Sequence, residues 1–313
     1  LANPLLNTAL LMHPALSAPR TSVVRIVPDD CWVNLNGVVS DRVQPALDLA
    51  GSGDEIKIAG YCLDIYSHPS ESEQVAYISK TLTLRGGYTP TNWTTAYPTV
   101  TTTFDAHGQG RAIFVTPGIT VTLANLHLIN GDAFQGGGGQ NHGGGLYAAN
   151  TYLNLHEVQI YDSIAEFGGG IYISGGAVDW TRGAVMSNTA TTSGGGMYFV
   201  NDANGRFTDI VLHANKLENS TKSGQGGAGL YALNSTLVLT DHVRLDGNTG
   251  AYQGGGGYVE NTQLTAQQII IQKNDANRGG GIFFNNSAVT LTDLDVRQNN
   301  AWSNSGHGAG LYF

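Results

Sequence analysis

Charged residues and long apolar runs are both scarce in this chain of 313 residues. Lys, Arg, Asp and Glu make up 12% of it, and 24 acidic against 15 basic side chains give a formal net charge of −9. An acidic chain with few lysines binds phosphate backbones poorly, which argues against nucleic acid as a partner. No apolar run approaches the roughly 20 residues of a membrane-spanning helix, so the sequence predicts no membrane span.

Cysteine is rare as well. The chain has two, Cys31 and Cys62, and their spacing excludes the CxxC motifs of redox and zinc sites. The alternatives are two buried thiols or a disulfide that closes a loop of about thirty residues and stabilises the fold by about 3–4 kcal/mol. The apolar stretch at residues 1–20 resembles the core of a secretion signal. It favours the disulfide, and with it an extracellular location at the cell surface.

Glycine, in contrast, is abundant: 43 residues, about twice the usual share of roughly 7%. It clusters in short runs that are followed by an aliphatic and then an aromatic residue. These blocks recur about every 27 residues, as expected for a repeat protein. They are Gly143–Tyr147, Gly168–Tyr172, Gly194–Tyr198, Gly227–Tyr231, Gly254–Tyr258, Gly279–Phe283 and Gly308–Tyr312.

Two further alternating segments follow each glycine block. The first opens with a small polar pair, such as Asn234-Ser235, and the second ends in an apolar-x-x-Asn motif, such as Leu212–Asn215. Three short period-2 segments in each repeat, with no helix between them, predict the coils of a parallel β-helix, stacked about 4.8 Å apart. A leucine-rich repeat is the weaker alternative, because it lacks glycine triplets and needs a helical half.

The Gly-Gly-x-Ile/Leu and apolar-x-x-Asn motifs resemble the repeats of polymorphic outer membrane proteins and autotransporter-type adhesins. The resemblance covers roughly residues 110–313 and implies an all-β, right-handed, pectin-lyase-like parallel β-helix with three short strands in each coil. It carries little about function, because the same coils occur in enzymes, adhesins and structural proteins.

The domain organisation follows from the repeat. We expect an apolar extension at residues 1–20 and one β-helix domain at 21–313, with a cap and first coils at 21–110 and regular glycine-rich coils at 111–313. Asp41–Ala50 carries apolar residues on one face and predicts a short helix that caps the first coil. The early strands are expected at Glu55–Ala59, Ser79–Leu84, Arg111–Val115 and Val121–Asn130.

Two columns of side chains are expected to stack along the solenoid. The Asn residues are predicted to adopt the left-handed αL conformation at a corner and to join their amides in a structural ladder; they are Asn130, Asn188, Asn215, Asn248, Asn274 and Asn299. Alternation points the aromatic residues outward; they are Tyr147, Tyr172, Tyr198, Tyr231, Tyr258, Phe283 and Tyr312. The aromatic strip is either a stabilising ladder alone or a ladder that also binds sugar rings or a partner protein.

A charged column follows the second strand. Asp209 and Asp241 are expected on adjacent coils, with Glu157, Arg182 and Gln267 in equivalent positions. The two Asp residues are either ordinary turn residues or share a Ca²⁺ ion, and no other cofactor is expected.

The motifs of catalysis are mostly missing. Gly306-His307-Gly308 matches a tripeptide of polygalacturonase-like hydrolases, but it lies in the register of the glycine corner, and the other carboxylate motifs of those enzymes are not found. We therefore predict no catalytic residue.

The two ends suggest assembly. The chain stops at Phe313, after a glycine corner and without a polar cap, so either the native chain continues or a neighbouring subunit covers the end. The apolar extension, with Leu5, Leu6, Leu10 and Leu11, is a candidate for that contact, and head-to-tail association would give a filament or sheath.

These observations favour a non-catalytic, extracellular structural or adhesive β-helix that binds itself or other surface proteins, and glycans as a further partner. The alternatives are a polysaccharide lyase or glycoside hydrolase of the same fold, or a carbohydrate-binding module.

Overall fold

The structure, a computed structural model, describes residues 30–68, 73–135, 140–218, 224–302 and 308–313. Its strands stack coil on coil, and in the regular coils they pair in parallel with the equivalent strand of the next coil. Leu146, for example, lies beside Ile171, which lies beside Met197. The antiparallel strand pairs lie near the N-terminus, within residues 32–74. The predicted all-β parallel β-helix is confirmed.

The first part of the chain contains the elements β1 (Trp32–Leu35), β2 (Val38–Ser40), α1 (Val43–Leu49), β3 (Glu55–Ala59), β4 (Tyr61–Cys62), β5 (Tyr66–Ser67), β6 (Glu73–Ile78), β7 (Leu82–Arg85), β8 (Thr103–Asp105), β9 (Arg111–Val115) and β10 (Thr120–Ile129). The regular coils contain β11 (Leu146–Tyr161), β12 (Ile164–Phe167), β13 (Ile171–Met186), β14 (Thr189–Ser193), β15 (Met197–Val200), β16 (Asn204–His213), β17 (Lys216–Leu217), β18 (Leu230–Leu233), β19 (Thr236–Thr240), β20 (Arg244–Asp246), β21 (Ala251–Gln253), β22 (Gly257–Glu260), β23 (Gln263–Gln267), β24 (Ile270–Gln272), β25 (Asp275–Arg278), β26 (Ile282–Asn285), β27 (Ala288–Thr292), β28 (Asp295–Arg297), β29 (Asn300–Ala301) and β30 (Leu311–Tyr312).

The predicted capping helix is present as α1. It buries Val43, Ala46 and Leu47 against the first coil. Its C-terminal end is held by Lys80, whose Nζ donates to the carbonyl oxygens of Leu47, Asp48 and Ala50. No helix among the described residues is long and apolar enough to cross a bilayer.

Each coil has three faces, and β11 shows all of them. Residues 146–149 form face A, residues 151–156 form face B, and residues 158–161 form face C. On every face alternate side chains point inward, so aliphatic residues such as Leu153, Leu155 and Ile160 fill one continuous core. The coil also has a short fourth strand in addition to the three expected from the sequence. It appears as β12, β14 and β17, and again as β21, β25 and β29.

Glycine is required where the chain turns back into face A. Gly168 has φ +62°, and a Cβ atom there would lie 2.3 Å from the carbonyl oxygen of Ile171. Gly170 has no room either, because its Cβ would meet the Gly196 carbonyl oxygen of the next coil at 2.7 Å. The glycine blocks therefore let adjacent coils approach to strand-pairing distance.

The Asn ladder joins the coils at the end of face C. The backbone N–H and the Nδ2 of Asn188 both donate to Oδ1 of Asn215 at 3.1 Å, and Asn215 repeats both bonds to Asn248. Asn274 and Asn299 continue the same pattern toward the C-terminus, and Ser163 joins it at the other end. The ladder amides that are fully buried therefore have their hydrogen-bonding groups satisfied.

Two details of the predicted ladder are wrong. The αL conformation belongs to the residue before each Asn, for example Ser187 with φ 55° and Ala214 with φ 54°. Asn130 is such an αL residue, with φ 54°, and its Nδ2 donates to Oδ1 of Asp105. The ladder position of its coil is Gly131, whose N–H donates to Oγ of Ser163.

The predicted disulfide is present. Cys31 and Cys62 are bonded, with Cα atoms 4.6 Å apart, and both are buried. The bond ties the start of β1 to β4 and thereby fixes the cap to the first coil.

Candidate functional site

A groove of about 550 Å³ runs along the corner between faces B and C. It crosses four adjacent coils, so it is about 14 Å long at the coil spacing of a parallel sheet. One wall is the loop that contains Pro98, Val100 and Thr101; the other residues around it are Asn125, His127, Glu157, Gln159, Arg182, Gly183, Ala184, Met186, Asp209 and Val211.

The repeat itself places these side chains. Glu157, Arg182 and Asp209 each occupy an αL corner, with φ values of 53°, 52° and 56°, and therefore line the rim. Two residues further on, Gln159, Ala184 and Val211 pair in register across face C. Because their neighbours such as Ile160 point inward, these side chains point outward and form the floor.

The rim charges are mostly paired with one another. Nη2 of Arg182 lies 3.2 Å from Oε1 of Glu157 and 2.6 Å from Nε2 of His156. Nδ1 of His156 is in turn 2.9 Å from Oγ1 of Thr181. Such an exposed pair contributes less than about 1 kcal/mol to stability, so its role at the rim is to hold the side chains in place.

His127 lies on the floor beside Tyr161, and the Tyr161 hydroxyl is 3.3 Å from Nδ1 of His127. Burial lowers the pKa of His127, which is therefore neutral near pH 7. Burial also raises the pKa of Tyr161, with smaller effects from Asp162 and Asp105. His127 thus presents an uncharged hydrogen-bonding group to the groove, with the Tyr161 hydroxyl beside it.

The two residues proposed to share calcium do lie on adjacent coils. The N–H of Asp209 donates to the carbonyl oxygen of Asp241 at 3.0 Å, and both side chains are exposed. Within the described ranges no group of three or more His, Cys, Asp or Glu side chains is placed to hold a metal ion. The equivalent residue of the next coil is Gln268, with φ 54°, and not Gln267, because β23 continues through Gln267.

The aromatic strip is a continuous stack. The rings of Tyr147, Tyr172, Tyr198, Tyr231, Tyr258, Phe283 and Tyr312 lie parallel, with centroids 4.7–5.5 Å apart. They point away from the main core, as alternation predicts, and the burial of the rings favours the stabilising ladder over a strip that also binds. Most are buried, Tyr258 with 2% of its surface exposed, because each ring covers the faces of its neighbours. Their faces are therefore closed to sugar rings.

The stack also extends beyond the predicted strip. Phe114, Tyr77 and His68 continue it toward the N-terminus, with the Phe114 and Tyr147 centroids 4.8 Å apart. These rings were missed because no glycine triplet precedes them. Phe114 does follow a buried Ile113, as Tyr147 follows Leu146, and that alternation could have found it.

Several predicted residues lie outside the described ranges. They are the four leucines of the extension, Leu5, Leu6, Leu10 and Leu11, and also His307. The groove, in contrast, was not predicted as a unit. Its loop wall at Pro98–Thr101 is far in sequence from Arg182, and no local motif connects them.

Comparison with known families agrees with this architecture. Residues 144–313, more than half of the chain, match the family described as the right handed beta helix region, and the chain belongs to that family. No curated protein and no solved structure matches the chain.

Proposed function

We propose that the protein is an extracellular, non-catalytic β-helix that binds an extended glycan in the groove between faces B and C. The observation that carries the proposal is the composition of that groove. Its floor offers small apolar surface at Ala184 and Val211, and its amide and carboxylate groups, such as Gln159 and Asp209, suit sugar hydroxyls. A cleft of this size with a few converging polar groups is typical of a binding site.

The pairing of the rim charges supports binding without turnover. A general base must be free to accept a proton from the reacting group. Oε1 of Glu157 lies 3.2 Å from Nη2 of Arg182, so this carboxylate is engaged in an ion pair. The extracellular location is supported by the Cys31–Cys62 disulfide, because such bonds persist in oxidising compartments.

A second candidate function is glycoside hydrolysis. Glu157 and Asp209 are the two carboxylates of the groove and lie two coils apart, about 10 Å between backbones at the usual strand spacing. Side chains that lean toward each other over that distance could reach the roughly 6.5–9.5 Å separation of an inverting pair. Arg182 lies between them in the column, which is why we rank hydrolysis second.

Binding and turnover can be tested with one set of variants. Val211→Trp fills the groove floor, and Ala288→Trp adds the same side chain to an exposed position on face B. Against a panel of neutral and uronate polysaccharides, we expect the native protein and Ala288→Trp to bind the same glycan and Val211→Trp to lose it. Equal binding by all three proteins would overturn the groove as the site.

Turnover is measured on the same panel as new reducing ends and as unsaturated uronate products. The proposal predicts neither. Cleavage that is lost in Glu157→Gln and Asp209→Asn while binding persists would replace it with the hydrolase, and unsaturated products would identify a lyase.

A further inference from the structure

Five tyrosines form an uninterrupted segment of the aromatic stack, which we call the tyrosine segment: Tyr147, Tyr172, Tyr198, Tyr231 and Tyr258. Successive centroids are 5.4, 5.4, 4.7 and 5.1 Å apart, and successive planes are within 11° of parallel. Parallel rings at this separation form stacked aromatic pairs, so each phenol of the segment has another phenol beside it.

Packing alone does not call for tyrosine at these positions. Phe114 and Phe283 occupy the same column on either side of the segment and stack equally well, at 4.8 and 5.5 Å from Tyr147 and Tyr258. The hydroxyl adds little to ring burial, but it changes the redox chemistry. A phenol loses one electron far more readily than a phenyl ring. A site that lacks one electron, called a hole, would therefore be confined to the tyrosines between Phe114 and Phe283.

At the Tyr258 end of the segment, a carboxylate lies within reach of the tyrosine hydroxyl and can accept its proton. The hydroxyl of Tyr258 donates to Oε2 of Glu260 at 3.2 Å, and Nδ2 of Asn285 donates to Oε1 of the same carboxylate at 2.7 Å. Burial raises the pKa of Tyr258 to about 12, so the phenol is protonated at neutral pH until it is oxidised. An oxidised phenol is a strong acid, and Glu260 is the base within its reach.

We propose that the tyrosine segment transfers an oxidising hole along the solenoid, from Tyr147 to Tyr258, and holds it there as a neutral tyrosyl radical. The oxidant is a strong one-electron acceptor at the surface near Tyr147, and it gains one electron. Tyr258 loses that electron through the stack, its O–H bond breaks, and the proton forms a new O–H bond on Glu260. This activity is independent of glycan binding in the groove.

The test creates the hole at the Tyr147 end of the segment, with an oxidant attached next to that residue. Gln140 is exposed, and its Oε1 accepts a hydrogen bond from the Tyr147 hydroxyl at 3.0 Å. In Gln140→Cys the only free thiol is the new one, since Cys31 and Cys62 are bonded to each other. A ruthenium polypyridyl label on that thiol, excited by a flash in the presence of an electron-accepting quencher, becomes the oxidant.

We expect a tyrosyl radical in the electron paramagnetic resonance spectrum, trapped on Tyr258 when the products are mapped by mass spectrometry. Tyr258→Phe should remove the radical from that position. Glu260→Gln keeps a hydrogen-bond acceptor but cannot hold the proton at neutral pH, so the yield on Tyr258 should fall while the fold is unchanged.

Two further variants separate conduction from surface oxidation. Tyr198→Phe preserves ring packing but removes the central phenol, and the radical should reach Tyr258 more slowly. Tyr152→Phe changes a tyrosine that is 63% exposed and outside the stack, and it should have no effect. Radicals that stay on Tyr147 or appear on Tyr152, or a yield on Tyr258 that is indifferent to Glu260→Gln, would overturn the proposal.

Discussion

Replacing Asn215 by alanine tests what the Asn ladder contributes to stability. The side chain is fully buried and takes part in four hydrogen bonds. Its Oδ1 accepts from N–H and Nδ2 of Asn188, and its Nδ2 donates to the carbonyl oxygen of Val185 and to Oδ1 of Asn248. Alanine removes all four and leaves the Asn188 N–H and the Val185 carbonyl without these partners.

A buried polar group left without its partner costs about 1–3 kcal/mol, so we expect Asn215→Ala to destabilise the protein by about 3–5 kcal/mol. For a chain of this length that corresponds to a fall in Tm of roughly 5–8 °C. The measurement is denaturant unfolding followed by far-ultraviolet circular dichroism, with the midpoint compared at constant slope.

Two matched variants make the result specific. Asn154→Ala changes an exposed residue on face B and should alter stability by less than about 0.5 kcal/mol. Asn130→Gly keeps the αL corner and removes one hydrogen bond to Asp105, which should cost about 1 kcal/mol. A loss for Asn215→Ala no larger than that of Asn154→Ala would refute the view that the amide ladder holds the coils together.

Three other predictions concern the cap, the aromatic stack and assembly. Reducing the Cys31–Cys62 bond should destabilise the protein by about 3–4 kcal/mol, measured as a lower unfolding midpoint with reductant. Burial raises the pKa of both Tyr198 and Tyr258 to about 12, above the ordinary value of 10.0. The folded state therefore keeps protons that the unfolded chain loses, and this stabilisation should be complete below pH 10 and lost as the pH rises to about 12, as followed by alkaline unfolding and tyrosinate absorbance. Deleting residues 1–20 should abolish any head-to-tail filaments seen by electron microscopy, and normal filaments without them would contradict that role.

The architecture was predictable because the signal repeats. Every coil carries the same alternation of inward aliphatic residues, and the glycine blocks mark the return into face A. Even the αL corner after face B could be placed from Thr208-Asp209 and Thr240-Asp241. The pattern of a single four-residue strand is too short to predict these features, but its recurrence in successive coils is sufficient.

The register of the Asn ladder was harder to predict at its N-terminal end. The αL position before each ladder residue accepts Ser187, Ala214 or Lys273, so side-chain identity does not mark it. Where an Asn happens to occupy that position, as Asn130 does, the sequence gives a false match one residue early. Only the hydrogen bonds separate the two roles.

Burial of the aromatic stack and the existence of the groove depend on contacts between distant segments. Alternation gives the direction in which Tyr172 points, but not that the rings of Tyr147 and Tyr198 cover its two faces. The groove likewise needs the loop at Pro98–Thr101 beside a corner of later coils. Such surfaces are set by how coils stack and by where a loop folds, which no local pattern encodes.

Glycan binding without turnover is the central claim, and one experiment tests it most directly. The native protein and Val211→Trp are incubated with the polysaccharide panel, and both retention of the protein on each polymer and new chain ends are measured. The account predicts retention by the native protein, loss of retention in Val211→Trp, and no new chain ends with either. Cleavage of a retained polymer, or retention that is unchanged in Val211→Trp, would contradict it.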